Sequence, residues 1–265
     1  MKTLASIVCA LFALCPALVR AQAPFVTDDT GVADYHRWHF ELNNEYDILK
    51  PGDYPNLDQN TANFKASFGI LKNVEVGFDN QLLNISTAPN PIYPEAAFGY
   101  GDMDMSIKWH ISDEKEGSKW PGFGASLNIE APTGDERKQL GSGIFDYYLN
   151  GIAQKSIRGH NTWRVNGGVY FAGNPATGVV GVRAKGFVFT GATSIVHDFN
   201  DKFDLGMEFA GAGTWNQLLG KGQLQTQLGG NYKLAHKFQL DFGFIAGFYR
   251  DSPRYAPIVG FEKDF

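Results

Sequence analysis

Glu41, Lys65, Glu75, Asp79, Asp102, Asp104, Lys108, His110, Glu130, Asp146, Arg164, Asp204, Glu208, Lys233 and Asp241 carry most of the chemistry open to this sequence. Carboxylates dominate the set, and apolar residues flank nearly every member. Such groups could transfer protons, hold a metal ion or attract cations. Nucleophilic catalysis would need a histidine within hydrogen-bond reach of a serine. Ser106 and His110 lie four residues apart, about 13 Å along an extended chain, and so cannot touch. Ser112 follows His110 by two, but in a Gly-x-x-His-x-Ser arrangement the glycine would stand where Ile107 is. His160 and His236 fall in short turns. His39 with Glu41, or His110 with Asp102 and Asp104, offers metal-ligand types, yet ligands two apart on a strand are diffuse, and a solvated polar face accounts for them as well. Gly101-Asp102 and Gly220-Lys221-Gly222 read as turns, and no phosphate-cradling loop is present. The expectation is therefore no catalytic, cofactor or metal site, and a polar, acid-leaning surface instead.

The elements that must position these charges alternate with a period of two. Phe238, Leu240, Phe242, Phe244, Ala246 and Phe248 interleave with Gln239, Asp241, Gly243 and Gly247, and only Ile245 breaks the rhythm. A helix would scatter these phenylalanines around its axis, whereas a strand gathers them on one face. Eleven further segments repeat the pattern, over 38–46, 62–70, 74–82, 103–111, 123–131, 145–153, 163–171, 187–195, 203–209, 224–234 and 259–265. Asn80 falls on an otherwise apolar face, and Val188 and Val196 blur the polar face of the eighth. Strands of about 9–11 residues suffice to cross a bilayer at a tilt.

The first 23 residues hold Lys2, an apolar run from Leu4 to Val19, and Ala21-Gln22-Ala23, which predicts a cleaved secretory signal peptide over 1–23. A helical membrane anchor is the competing reading, disfavoured by the short run and by Pro16. Both cysteines, Cys9 and Cys15, lie in this stretch, and the residues before them fit a lipoprotein cleavage site poorly. The exported chain would hold neither disulfide nor thiolate chemistry. It would carry 21 basic against 28 acidic residues, net −7, which disfavours a nucleic-acid partner. Residues 24–36 read as an N-terminal periplasmic segment or partial plug, and 37–265 as one domain.

Connections between the strands alternate in length. Those near 71–73, 112–120, 156–161, 198–201 and 235–237 are the shorter class; those near 47–60, 84–101, 132–143, 173–183, 214–222 and 250–255 are longer. This predicts an all-β fold: an antiparallel up-and-down transmembrane β-barrel of about 12 strands, with short periplasmic turns, longer outer loops and both termini periplasmic. A water-soluble β-sandwich also alternates. Strand length, charges on nearly every polar face, the export signal and the terminal aromatic weigh against it. Val259, Phe261 and Phe265 resemble the C-terminal signal read by the barrel-assembly machinery, with Lys263 departing from the pattern.

Two stretches carry a family resemblance. Pro24-Phe25-Val26-Thr27-Asp28-Asp29-Thr30-Gly31 is the first; Ala131-Pro132-Thr133-Gly134-Asp135-Glu136-Arg137-Lys138, followed by Leu140-Gly141-Ser142-Gly143 and Asp146-Tyr147, is the second. Both resemble the family of outer-membrane transporters named for the MetA pathway of phenol degradation. The resemblance implies a β-barrel that moves small hydrophobic or aromatic compounds across the outer membrane of a Gram-negative bacterium, and it brings no catalytic residues. From the residues themselves, Pro132-Thr133-Gly134-Asp135 is turn chemistry, and Gly141 and Gly143 allow tight re-entry into a strand. With apolar positions facing lipid, the charged set lines a lumen that must hold water or pair its charges. A 12-stranded barrel stands between packed eight-stranded and open 16-stranded ones. The expected function is a channel or transporter for small solutes. The alternatives are a structural barrel without an open pore and an outer-membrane lipid-modifying enzyme. Expected partners are outer-membrane lipids, the assembly machinery and the solute.

Overall fold

The computed structural model describes residues 24–49, 56–87, 95–171, 185–216, 219, 222–234 and 238–265. The signal-peptide reading of 1–23, and His236 and Lys221, lie outside these residues. Twelve strands follow in order: β1 (Trp38–Ile48), β2 (Asn56–Leu71), β3 (Val74–Thr87), β4 (Ala96–Ser112), β5 (Gly122–Ala131), β6 (Asp146–Ile157), β7 (Asn161–Phe171), β8 (Phe187–Asn200), β9 (Phe203–Gly213), β10 (Gln223–Lys233), β11 (Phe238–Gly247) and β12 (Tyr255–Asp264). Each pairs antiparallel with its sequence neighbours, and β12 pairs with β1 to close the barrel. Closure leaves no open strand edge among the described residues, so the backbone ladders pair within the wall, the condition for a sheet to sit in hydrocarbon. The barrel expected from the alternation is the observed fold.

Side chains sort by parity as the period requires. Leu42, Phe64, Phe78, Ile107, Leu149, Ile195, Met207, Phe209, Leu228 and Phe244 stand exposed on the outside. Glu41, Glu75, Asp102, Asn150, Arg164, Ser194, Glu208, Gln227 and Asp241 are buried within. At the end of the chain Val259, Phe261 and Phe265 are outward and exposed. Lys263 places its ammonium 4.5 Å from the centre of the Phe265 ring, and Phe265 N–H donates to Trp38 O at 3.0 Å. Lys263 thus caps the terminal aromatic.

Two of the residues that broke the alternation, Ile245 and Val188, join small inner cores at the end of the barrel that bears the long connections. Ile245 packs inside with Ala256 and Ile258. Val188 packs with Leu219, Tyr170 and Ala212. Leu83, Ile85 and Ala97 are met by Leu140, which the β5–β6 connection folds inward. These sites make a discontinuous apolar collar at the loop end of a largely polar interior. Val196, toward the turn end, is also buried.

Strands β2, β3 and β4 run 16, 14 and 17 residues, well beyond the alternating segments that predicted them. Their extensions, over 56–60 and 84–87, set a single apolar residue among polar ones in sequence, so periodicity does not reveal them. A bulge near Asp102 resets β4: Asn80 pairs with Met103 but Leu82 with Tyr100. Beyond it Phe98 and Tyr100 are 67% and 70% exposed while Ala97 is buried. A one-residue insertion flips the parity, as a bulge must.

Candidate functional site

The interior is crossed by the N-terminal segment, and the wall residues are built to hold it. Pro24 O accepts from Gln227 Nε2 on β10 at 2.6 Å. Glu208 on β9, with no exposed surface, takes the N–H groups of Val26 and Thr27 at 3.1 and 2.6 Å, and Thr27 Oγ1 donates to Ser194 Oγ on β8 at 2.7 Å. On the opposite wall, Lys108 of β4 places Nζ 2.6 Å from Asp28 Oδ1 and 3.2 Å from Asp29 Oδ1. His110 Nδ1 meets Thr30 O at 2.7 Å, and Ala33 N–H donates to Glu75 on β3. Tyr35 then bridges to Gly69 on β2, where a Cβ would stand 2.2 Å from Asp34 O. Glycine is needed there because the backbone of the segment lies directly against the wall. Residues 24–29 thus cross the interior from β10 to β4, and residues 30–36 run on along the wall past β3 to β2.

Asp29 is fully buried, and burial pushes its carboxyl above the ordinary value against the opposing pull of Lys108 and Arg164. The turn of Asp29 is closed by its own Oδ1, which accepts from Gly31 N at 2.8 Å.

Strand register brings the remaining charges into rows that spacing along the chain does not disclose. Directly opposite one another run Glu262, Glu41, Lys65, Asp79, Asp104, Glu130 and Asp146, one on each of seven successive strands from β12 through β6. Like charges placed opposite are unfavourable without a counter-charge or solvent. Lys65 gives Glu41 a partner at 2.6 Å. A second row sets Glu75 opposite Lys108, and a third sets Arg164, Ser194, Glu208 and Gln227 side by side. Asp204, Asn231 and Asp241 form a fourth, with Asn231 donating to Asp241 Oδ1 at 2.6 Å and to Asp204 Oδ1 through its backbone at 3.1 Å. Lys233 lies near the turn end of β10 and is exposed.

Asp102 serves a different purpose from its neighbours. Its two oxygens accept from Gly134 N at 2.8 Å and Ser142 N at 2.6 Å, pinning the β5–β6 connection to the wall. A Cβ on Gly141 would lie 2.4 Å from Asp102 Oδ1, and Gly143 adopts φ 73°. The Pro-Thr-Gly-Asp stretch is therefore a folded loop held by a carboxylate, and this loop carries Leu140 into the apolar collar.

Above the crossing segment lies a cavity of about 560 Å³. Glu41, Glu45, Asp79, Asp104 and Lys65 line one side; Gly191, Ala192, Ala210, Gly211 and Ala212 line the other. Tyr148 and Tyr170 stack between them with ring centres 4.2 Å apart. One face of the space is acidic and the other has almost no side chain. His110 engages Thr30 O and, through Nε2, Asp113 Oδ1 at 3.1 Å, so both ring nitrogens are committed away from Ser106 and Ser112. Alternation had placed Glu208 and Lys108 on the lumen face, but their individual partners on the N-terminal segment, 79 to 182 residues distant in sequence, had no sequence signal. Ser194, Gln227 and Gly69 were missed as members of this site because neutral polar residues and glycine abound on every strand.

No family model matches this sequence, and neither does any curated protein. Among solved structures, an outer membrane channel from Pseudomonas putida F1 is similar with a TM-score of 0.71 at 12% identity, over 95% of this chain and 100% of that one. The KdgM porin, solved with disordered oligogalacturonate, gives 0.56 at 10% identity over 86% and 99%. A mutant of the TodX monoaromatic hydrocarbon channel gives 0.50 at 9% identity over 88% and 91%. At such identities the likeness establishes the fold: a closed antiparallel barrel of the kind found in outer-membrane channels.

Proposed function

We propose that this chain is an outer-membrane channel for small solutes, with residues 24–36 acting as a strap that narrows the passage. The observation that carries this reading is a cavity of about 560 Å³, lined by charged and small residues, inside a closed barrel whose exterior is apolar. So many inward carboxylates require water or ion pairing, and a hydrated, acid-leaning lumen disfavours anions. The apolar collar at the loop end, followed by the stacked tyrosines and the side-chain-poor wall, supports hydrophobic or aromatic solutes with a small polar or cationic group. The two motifs that resemble the phenol-pathway transporter family supply Asp28, Asp29, Gly134 and Gly141, residues that hold the strap and the loop; this supports membership of that family. Short turns on the side of both termini support a periplasmic location for them, with the collar facing outward. Val259, Phe261 and Phe265 suit a C-terminal assembly signal.

The strap also favours a second reading, a structural barrel without an open pore. Single-channel recording on purified protein in planar bilayers separates the two. Discrete, salt-dependent steps with a reversal potential that favours cations in a KCl gradient are expected. Their absence at every salt concentration, in both the wild type and a variant lacking the strap contacts, overturns the channel.

A further inference from the structure

The seam that closes the barrel joins the first strand to the last. Its register sets Glu41 opposite Glu262 and His39 opposite Asp264. His39, Glu41 and Glu262 are 7%, 7% and 5% exposed, and one ligand atom from each lies within 4.8 Å of the other two. His39 Nε2 stands 3.2 Å from Glu41 Oε1, while Nδ1 stands 2.8 Å from Asp264 Oδ1. Gln239 Nε2 donates to Glu262 Oε2 at 3.0 Å.

We propose that His39, Glu41 and Glu262 form a binding site for a divalent transition-metal ion of the zinc type, which clips β1 to β12 from inside the barrel. One imidazole and two carboxylates make a ligand set suited to zinc, whereas calcium and magnesium take shells of oxygen alone. The surroundings orient the ligands as metal sites do. Asp264 accepts a hydrogen bond from His39 Nδ1, and in that neutral tautomer Nε2 keeps the lone pair a metal needs, the carboxylate–histidine arrangement that fixes a ligating imidazole. The Gln239 amide holds Glu262 in the same way. Two buried carboxylates directly opposite each other repel, and a dication between them removes the repulsion. Lys65 is the competitor: its ammonium is 2.6 Å from Glu41 Oε1, the oxygen nearest the imidazole. Metal entry displaces it toward Asp79, its opposite neighbour on β3. The site rests on the barrel seam and stands whether or not the lumen conducts.

The test is calorimetric titration of untagged, folded full-length protein with zinc chloride, and separately with magnesium and calcium chlorides. Cobalt(II) absorption reports the ligand environment, and heat-modifiable gel migration checks that each variant is folded. One zinc per chain is expected, with no response to magnesium or calcium. His39→Ala and Glu262→Gln should each weaken zinc binding at least tenfold, and Asp264→Asn about 10–100-fold as for other outer-shell partners. Lys65→Met keeps all three ligands and removes the competing cation, so it should bind zinc several-fold more tightly and strengthen the cobalt visible bands. Absence of stoichiometric zinc binding overturns the proposal, as does binding that His39→Ala leaves unchanged, which would mark a surface site. Should His39→Ala fail to fold, Lys65→Met decides: unchanged or weaker binding there overturns the site.

Discussion

Lys108 Nζ lies 2.6 Å from Asp28 Oδ1, deep inside a barrel wall whose chain position is 80 residues away from the aspartate. This contact and that of Lys108 with Asp29 fasten the middle of the N-terminal segment to β4, as Glu208 fastens its start to β9. Removing one partner of a buried pair leaves the other charge uncompensated, at about 3–5 kcal/mol. Lys108→Met is therefore expected to release the strap, and the conductance step in planar bilayers should grow several-fold. An unchanged step would mean that the passage does not run past the strap.

At the other anchor, Glu208 accepts two backbone N–H groups. Hydrogen bonds to charged groups contribute about 1.5–3 kcal/mol each. Glu208→Ala should loosen residues 24–28 while leaving the barrel closed, so added protease should shorten the N-terminus of the variant but leave its heat-modifiable migration intact. Equal protection of wild type and variant would contradict the anchoring role.

Asp29 predicts a pH dependence with a definite sign. Its carboxyl, raised by burial above the ordinary 3.8, holds a proton more tightly docked than undocked. This contribution to docking is complete below the ordinary value and is lost as pH rises through the shifted one. Open-state conductance should rise with pH over that window. Asp29→Asn keeps the acceptor for Gly31 N–H and should flatten the slope. A slope that survives in Asp29→Asn assigns the titration elsewhere.

The two faces of β11 should respond differently to substitution. Phe242 stacks on Phe203 at 6.3 Å across the outer surface, near the middle of the strand, whereas Asp241 is fully buried inside. Phe242→Arg should cost about 2–4 kcal/mol of stability in lipid, read by denaturant unfolding in vesicles. Asp241→Asn should leave folding nearly unaffected and alter ion preference. Equal stability loss in both would contradict the assignment of faces.

Gly141 offers a test of the inward-folded loop. A methyl group there meets Asp102 Oδ1 at 2.4 Å, so Gly141→Ala must displace the carboxylate from Ser142 and Gly134. Faster proteolysis within 132–145 is expected, together with altered single-channel noise as Leu140 leaves the collar. Wild-type proteolysis rates would show the loop to be held by other contacts.

Alternation by itself determined which residues face outward, because a strand can only present side chains to two sides and a bilayer accepts one kind. Leu42, Phe78, Ile107 and Phe244 needed no structure to be assigned to the outside, and Glu41, Glu208 and Asp241 none to be set opposite them. Ile245, Val188 and Val196 were legible only as irregularities. Tertiary structure gave Ile245 and Val188 a reason, in apolar clusters formed by residues from separate strands and loops. It also decided everything that depends on register. Glu41 meets Glu262, and Asp104 meets Glu130, only because the closing seam and each hairpin align in one way; a shift of two residues would keep the same faces and part every pair. The path of residues 24–36 across the lumen was likewise absent from local pattern, since hydrogen bonds between Thr27 and Glu208 or Asp28 and Lys108 exist only once the barrel brings distant strands around a common interior.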